Sequence, residues 1–164
     1  MRRCLASRML ILRSAHSGEV EELTELCLRS KAVWGYDDAF MEACRTELTI
    51  TVESLTRSRI QVAAAEGCVV GVAQISMSGA SAQLEKLFVE PERLSHGIGR
   101  ILFDWCVSTA RAEGATILVI DADPGAVEFY RRMGAMDDGS VASGSIPGRR
   151  IPRLRFSLSL PRKG

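Results

Sequence analysis

The run Leu87-Phe88-Val89-Glu90-Pro91, continuing to His96-Gly97-Ile98-Gly99-Arg100, constrains this chain more than any other stretch. An apolar segment of β type stops at a proline, which cannot donate to a strand ladder. A short loop and two glycines follow, then a helical pattern. In that pattern Ile98, Ile101, Leu102, Trp105 and Thr109 share one face, while Arg100, Asp104, Ser108 and Arg111 lie away from it. Gly97 and Gly99 carry no side chain, so the backbone N–H groups around them can approach a ligand closely. They sit where a helix begins, and a helix N-terminus carries roughly half a positive charge. Such a junction suits a phosphate or pyrophosphate. It is not a P-loop, because Arg100-Ile101 stands where Lys followed by Ser or Thr is required. Nor is it the dinucleotide fingerprint, whose third glycine would fall on Leu102. Taken alone, Gly-x-Gly is also a tight turn.

A length of 164 residues fits one domain with a real core. With 46% apolar and 25% charged residues the composition is that of a soluble globular protein. A net charge of +1, with both signs interspersed, gives no electrostatic case for nucleic acid. The basic positions Arg149, Arg150, Arg153, Arg155, Arg162 and Lys163 read as solvated strand and terminus charges. Cys4, Cys27, Cys44, Cys68 and Cys106 form no Cys-x-x-Cys pair, and His16 and His96 are the only histidines. Neither a metal site nor a disulfide framework is expected, and the cysteine usage points to a reducing cytoplasm. No apolar run approaches the ~20 residues of a transmembrane helix, so no membrane partner is expected. Met1-Arg2-Arg3 precedes an apolar stretch, Met9-Leu10-Ile11-Leu12, that is too short for a signal peptide and ends at Arg13. Residues 1–8 are expected to be a disordered extension, with Met9 as a candidate start, and 9–164 a single domain.

Along the chain, Met9–Arg13 reads as a strand, and Ser17 is placed to cap a helix over 18–31 whose apolar face is Val20, Leu23, Leu26 and Cys27. A loop over 32–36, a helix over 37–47 and a helical turn over 52–58 follow. Strands at 60–65 and 68–77 flank Glu66-Gly67 as a hairpin, and 82–89 makes a third strand in series. Gly114 ends the helix after the glycines, and 116–122 is an apolar run suited to a strand buried on both faces. Asp123-Pro124 opens a further helix that Gly134 closes. Strands at 135–142 and 150–160 finish the chain, joined by a loop over 143–149. This order predicts a mixed α/β sheet with helices on both faces.

The strand-proline-glycine junction, together with Glu128-Phe129-Tyr130-Arg131-Arg132-Met133-Gly134-Ala135, resembles the GNAT family of N-acetyltransferases. The resemblance spans about 9–160, and its specific part is 84–135. It implies a mostly antiparallel sheet of about seven strands, splayed between the fourth and fifth. It also implies acetyl-coenzyme A as co-substrate, held by main-chain amides over Leu94-Ser95-His96-Gly97-Ile98-Gly99-Arg100. Leu94 departs from the family's usual Arg or Gln, which weakens the motif without removing the amides. Leu87, Phe88 and Val89 would flank the pantetheine arm, and a main-chain N–H near Phe88 would polarise the thioester carbonyl. The same three residues also read as plain strand core.

Tyr130 is the candidate acid for the leaving thiolate, since thiol and phenol have comparable pKa values of roughly 8.5–10. On a helix face with Val127 and Gly134 it can equally just pack. Glu85 is the candidate base; it also reads as an exposed or ion-paired strand residue with Lys86 as partner. Asp123 matches a family position near the cofactor and equally explains itself as a helix cap. For the acceptor, the family's first helices and last hairpin point to Trp34, Tyr36, Ser145, Arg149 and Arg150. The function implied is acetyl transfer to a primary amine, on a small molecule or a peptide N-terminus. The alternatives are a non-catalytic acyl-coenzyme A sensor and a nucleotide-binding protein of another fold. Sheets of this family often pair across a dimer, which leaves a homodimer open.

Overall fold

The computed structural model describes residues 9–159. The proposed extension over 1–8 and the last residue of the final expected strand, Leu160, lie outside them. The elements in order are β1 (Leu10–Ser14), α1 (Val20–Ala32), α2 (Asp38–Leu48), α3 (Val52–Arg57), β2 (Arg59–Ala65), β3 (Cys68–Ser78) and β4 (Ser81–Val89). Then come α4 (Ile98–Ala112), β5 (Ile117–Asp121), α5 (Val127–Met133), β6 (Met136–Ala142) and β7 (Arg150–Ser157). They build one seven-stranded sheet, ordered β1-β2-β3-β4-β5-β7-β6. Every neighbouring pair is antiparallel except β4 and β5, which run parallel. This is the mixed α/β sheet the sequence predicts.

Two buried clusters sit on opposite faces. One joins the sheet to α4 and α5 through Leu102, Phe103, Cys106, Val127 and Tyr130. The other joins it to α1 and α2 through Leu23, Leu26, Cys27, Cys44 and Leu48. Local chemistry explains the boundaries. Glu66 (φ 54°) and Gly67 (φ 78°) are both left-handed, the geometry whose twist matches a two-residue hairpin between Ala65 and Cys68. Asp37 accepts the Phe40 N–H at 2.8 Å and starts α2, and Thr51 accepts the Ser54 N–H at 3.2 Å and starts α3.

Two expectations need correction. Ser17 does not cap α1; it lies in a 3₁₀ turn over Ser17–Glu19. There the buried Glu19 carboxylate accepts the His16 N–H at 2.9 Å and pairs with both Arg13 guanidinium nitrogens at 2.7 and 2.8 Å. The pull of Arg13 draws the turn in ahead of the helix. The buried face of α4 is also rotated from the expected one. It consists of Ile98, Leu102, Phe103, Cys106, Val107 and Ala110, while Ile101 is 41% exposed. The cause is Gly71 on β3. A Cβ there would stand 2.9 Å from Leu102 Cδ1 and 3.1 Å from Ile98 Cγ2, so the glycine is the notch into which those two side chains fit.

The feature that positions the site is a bulge in β4. Gln74 pairs with Lys86 and Ile75 with Leu84, so Glu85 has no partner on β3. The parallel ladder to β5 runs from Ser81/Ile117 to Leu84/Ile120 and stops there. Beyond the bulge the two strands diverge and a gap opens.

Candidate active site

The gap is a cleft of about 450 Å³. β4 contributes Leu84 through Val89 to its walls, and Asp121, Ala122 and Asp123 at the end of β5 face them. The glycine junction closes one end. Gly97 is left-handed (φ 80°) and precedes α4, whose first turn has no side-chain cap. The N–H groups of Ile98, Gly99 and Arg100 have no intrahelical acceptor, so they are open to a ligand in the cleft. Leu94 and Ser95 line the same end. His96 does not line the cleft, and its N–H is spent on the Arg93 carbonyl at 3.3 Å. The two glycines have separate tasks. Gly97 makes the turn, whereas Gly99 faces α5, where a Cβ would rest in ordinary contact with the Phe129 ring at 3.4 Å.

On β4 the Glu90 N–H donates to Val70 O at 2.8 Å. Antiparallel alternation then turns the Phe88 N–H toward β3 and those of Leu87 and Val89 toward the gap. The N–H groups near Phe88 that face the gap are therefore those of its neighbours, not its own. Glu85 lines the cleft and accepts a hydrogen bond from the Ser76 hydroxyl at 2.6 Å. It forms no ion pair with Lys86 among the described residues.

Tyr130 projects from α5 into the opposite wall, 6% exposed, with its ring against Phe129 and Phe103 at 5.1 and 6.0 Å. Its hydroxyl has no hydrogen-bond partner among the described residues, yet it is not among the sealed unsatisfied atoms, so it opens onto the cleft. Burial, with a smaller effect from Cys106, pushes this phenol well above its ordinary range. It is protonated at neutral pH, as a proton donor must be.

Asp123 does more than its sequence suggests. It caps the 3₁₀ turn Pro124–Ala126 by accepting the Gly125 N–H at 3.0 Å. The same carboxylate accepts from Tyr36 Oη at 2.7 Å and Lys31 Nζ at 3.3 Å, with Arg149 Nη2 at 3.8 Å. Arg149 donates to Tyr36 Oη at 2.8 Å and lies over the stacked Tyr36 and Phe40 rings. Burial alone would raise this carboxyl, but the Tyr36 and Gly125 hydrogen bonds and the Lys31 charge hold it below its ordinary range. One carboxylate thus ties the end of α1, the following aromatic loop and the β6–β7 loop over the cleft mouth.

The other acceptor candidates separate. Trp34 lines the cleft, half-exposed, with its ring laid on Gly125, where a Cβ would meet it at 2.7 Å. Arg149 lines it too, but Tyr36 does not; its hydroxyl is held in the knot. Ser145 donates to the Glu47 carboxylate and faces α2, and Arg150 bonds Ser140 away from the cleft. Sequence reading missed Lys86, Glu47, Cys44 and Arg132, all of which line the cleft. Of these, Lys86 entered the sequence reading only as a partner for Glu85, and Arg132 only as part of the Glu128–Ala135 motif.

No curated protein sequence is significantly similar to this one. Among solved structures, the PaiA N-acetyltransferase from Thermoplasma acidophilum in complex with coenzyme A is similar at a TM-score of 0.78 and 16% identity, over 91% of this chain and 99% of that one. A GCN5-related N-acetyltransferase from Rhodopseudomonas palustris gives 0.75 and 21%, over 96% and 99%. An N-acetyltransferase from Staphylococcus aureus gives 0.67 and 14%, over 92% and 99%. At these identities the likeness is one of fold. The family model described as the acetyltransferase (GNAT) family matches residues 20–135, a span that runs from α1 through the β4 bulge, the uncapped α4 and the Tyr130 helix. The chain belongs to the GNAT acetyltransferase family.

Proposed function

We propose that this protein moves an acetyl group from acetyl-coenzyme A to a primary amine by direct attack in a ternary complex. The observation that carries this reading is the uncapped start of α4, open to the cleft where β4 and β5 part. Its N–H groups, with Arg93, Arg100 and Arg132 on the same lining, fit a pyrophosphate in charge and in donor type. The gap between β4 and β5 offers unpaired strand edge to a pantetheine amide, as an added strand would use it. The coenzyme A bound by the similar Thermoplasma acidophilum protein supports the same occupant.

Bound there, the thioester supplies an acyl carbon already activated toward amines. The Leu87 or Val89 N–H stabilises the charge that develops on the acyl oxygen. Glu85 takes the proton the amine loses as its nitrogen bonds to the acyl carbon. Tyr130 gives its proton to the departing sulfur as the C–S bond breaks, and recovers one from solvent. One acetamide and one thiol result. Cys27 and Cys106 do not carry the acyl group: burial pushes their thiols up to about 12, where they are not nucleophiles.

The test is calorimetric titration with coenzyme A, followed by turnover with acetyl-coenzyme A and a panel of amines and peptides. Tyr130→Phe should keep coenzyme A affinity and lose roughly 10²–10⁴-fold in turnover. No heat from coenzyme A at millimolar concentration, or no acetylated product from any amine, would overturn the proposal.

A further inference from the structure

A regular strand sends successive side chains to opposite faces. The β4 bulge breaks that rule. Leu84 and Leu87 both pack toward α4, while Phe88 packs toward α1 and α2. Glu85 and Lys86 therefore both project toward the α1/α2 side. Lys86 is 8% exposed, lines the cleft, and makes no hydrogen bond or ion pair among the described residues. Its Nζ is not among the sealed unsatisfied atoms, so the ammonium opens to the cleft.

None of the groups around it makes a direct pair with it. Glu85 holds the Ser76 hydroxyl, and Glu47 of α2 holds Ser145. Cys27 of α1 stays a neutral thiol, its pKa pushed up to about 12 by burial. Gln74, opposite Lys86 on β3, is uncharged and gives its amide N–H to Ser58 at 2.9 Å. The remaining cations of this side, Lys31 and Arg149, are committed to Asp123. Burial lowers the Lys86 pKa while the Glu85 and Glu47 charges act the other way. A mostly buried ammonium with carboxylates nearby but no direct hydrogen-bonded partner is costly, and a ligand carboxylate can supply that partner.

Resting on the acetyl-transfer reading, we propose that Lys86 is the specificity residue of the acceptor site and receives a carboxylate of the acceptor. The amine that is acetylated is then a small amino acid or a comparable carboxylate-bearing amine. Its nitrogen points to Glu85 and its carboxylate to Lys86. The lining supports this pairing, with carboxylates (Glu85, Glu47) for a cationic end and, Lys31 being paired with Asp123, one uncommitted ammonium for an anionic end. A single ammonium beside two carboxylates matches one negative charge better than the dianion of a phosphate.

The test uses the intact protein, acetyl-coenzyme A, and matched acceptors: amino acids, their carboxamides, the corresponding decarboxylated amines, and a phosphate-bearing amine. Wild type should favour the acid over the carboxamide by roughly 10- to 100-fold in kcat/KM, the range for a hydrogen bond to a charged group. Lys86→Met should bring that ratio toward one, and Lys86→Arg should keep it above the Met value. Calorimetry with the N-acetylated amino acid should lose its signal in Lys86→Met, while coenzyme A affinity is unchanged. If the Met variant does not fold, Lys86→Gln replaces it, and the wild-type ratio decides without any variant. Equal use of acid and carboxamide, a better phosphate-bearing substrate, a preference that survives Lys86→Met, or a parallel loss of coenzyme A affinity would each overturn the assignment. A wild-type protein that binds no coenzyme A and acetylates nothing overturns the acetyl-transfer reading itself. One that binds coenzyme A and acetylates neutral amines equally well overturns only the role of Lys86.

Discussion

Gly71→Ala tests whether the notch under α4 sets the position of that helix's uncapped first turn. The glycine lies in β3, paired with Ala63 on one side and Val89 on the other. Its φ is not in the left-handed region, so alanine meets no backbone obstacle. The obstacle is space. The added methyl would lie 2.9 Å from Leu102 Cδ1, 3.1 Å from Ile98 Cγ2 and 3.3 Å from the Phe88 carbonyl oxygen. Leu102 is fully buried and Ile98 nearly so, so neither can swing into solvent. Overpacking of this kind costs about 1–3 kcal/mol. For a chain of this size that corresponds to a fall in Tm of roughly 2–12 °C. Because Ile98 is the first residue of α4, relief by lifting the helix also moves the N–H groups of its first turn, and coenzyme A affinity should fall together with stability. Thermal unfolding and calorimetry on the same samples read both. A double-mutant cycle sharpens the point. Leu102→Ala alone should cost about 2–5 kcal/mol, and adding Gly71→Ala should cost less than the sum because the new methyl occupies the vacated space. An unchanged Tm in Gly71→Ala, or strict additivity with Leu102→Ala, would refute the notch.

Asp123→Asn should loosen the cleft mouth by about 1–3 kcal/mol, since the positive charges of Lys31 and Arg149 stay partly buried without their partner. The Asp123 carboxyl is held below its ordinary range in the folded state, so its contribution is complete above about pH 4 and is lost as acid takes it through its lower folded value. Unfolding titrations of wild type and Asp123→Asn should therefore differ at neutral pH and converge in acid. Gly97→Ala adds a methyl to a residue at φ 80° with open space around it, so the expected cost is conformational, about 1–2 kcal/mol, with weaker coenzyme A binding and no core defect. Glu85→Gln should lower kcat/KM by roughly 10²-fold or more at unchanged coenzyme A affinity. A variant that turns over at the wild-type rate would remove Glu85 as the base.

The legible parts of this protein are those whose causes are local. Glu66-Gly67 specifies its own turn, Asp123 its own cap, and Gly97 its own close turn before a helix. The order of elements along the chain followed from apolar runs between such signals. The splay was available only through resemblance, because its cause is a mismatch of register: Glu85 looks like any other strand residue until Gln74 and Ile75 are laid against Lys86 and Leu84. The bulge also brings Glu85 and Lys86 to one face, which strict alternation would not. The Asp123 knot joins positions 92 and 87 residues apart, and no local pattern encodes which distant cation or phenol will arrive. The rotation of α4 was hidden for the same reason. Its own sequence permits the face through Ile101 and Trp105, and the selection comes from a missing side chain on another strand.

A β-strand keeps parity as a counted sequence does: odd positions look one way and even positions the other. Glu85 is the single count that changes parity halfway along β4. Before it, the strand is bound to neighbours on both sides; after it, only to β3. An excision of that one residue would restore regular counting, leave Lys86 through Val89 on the faces and in the register with β3 that they now hold, and let the strand zip onto β5. The cavity for chemistry is thus inscribed in this polypeptide as an indel of length one, and whole side chains can be exchanged around it more readily than that integer can be altered.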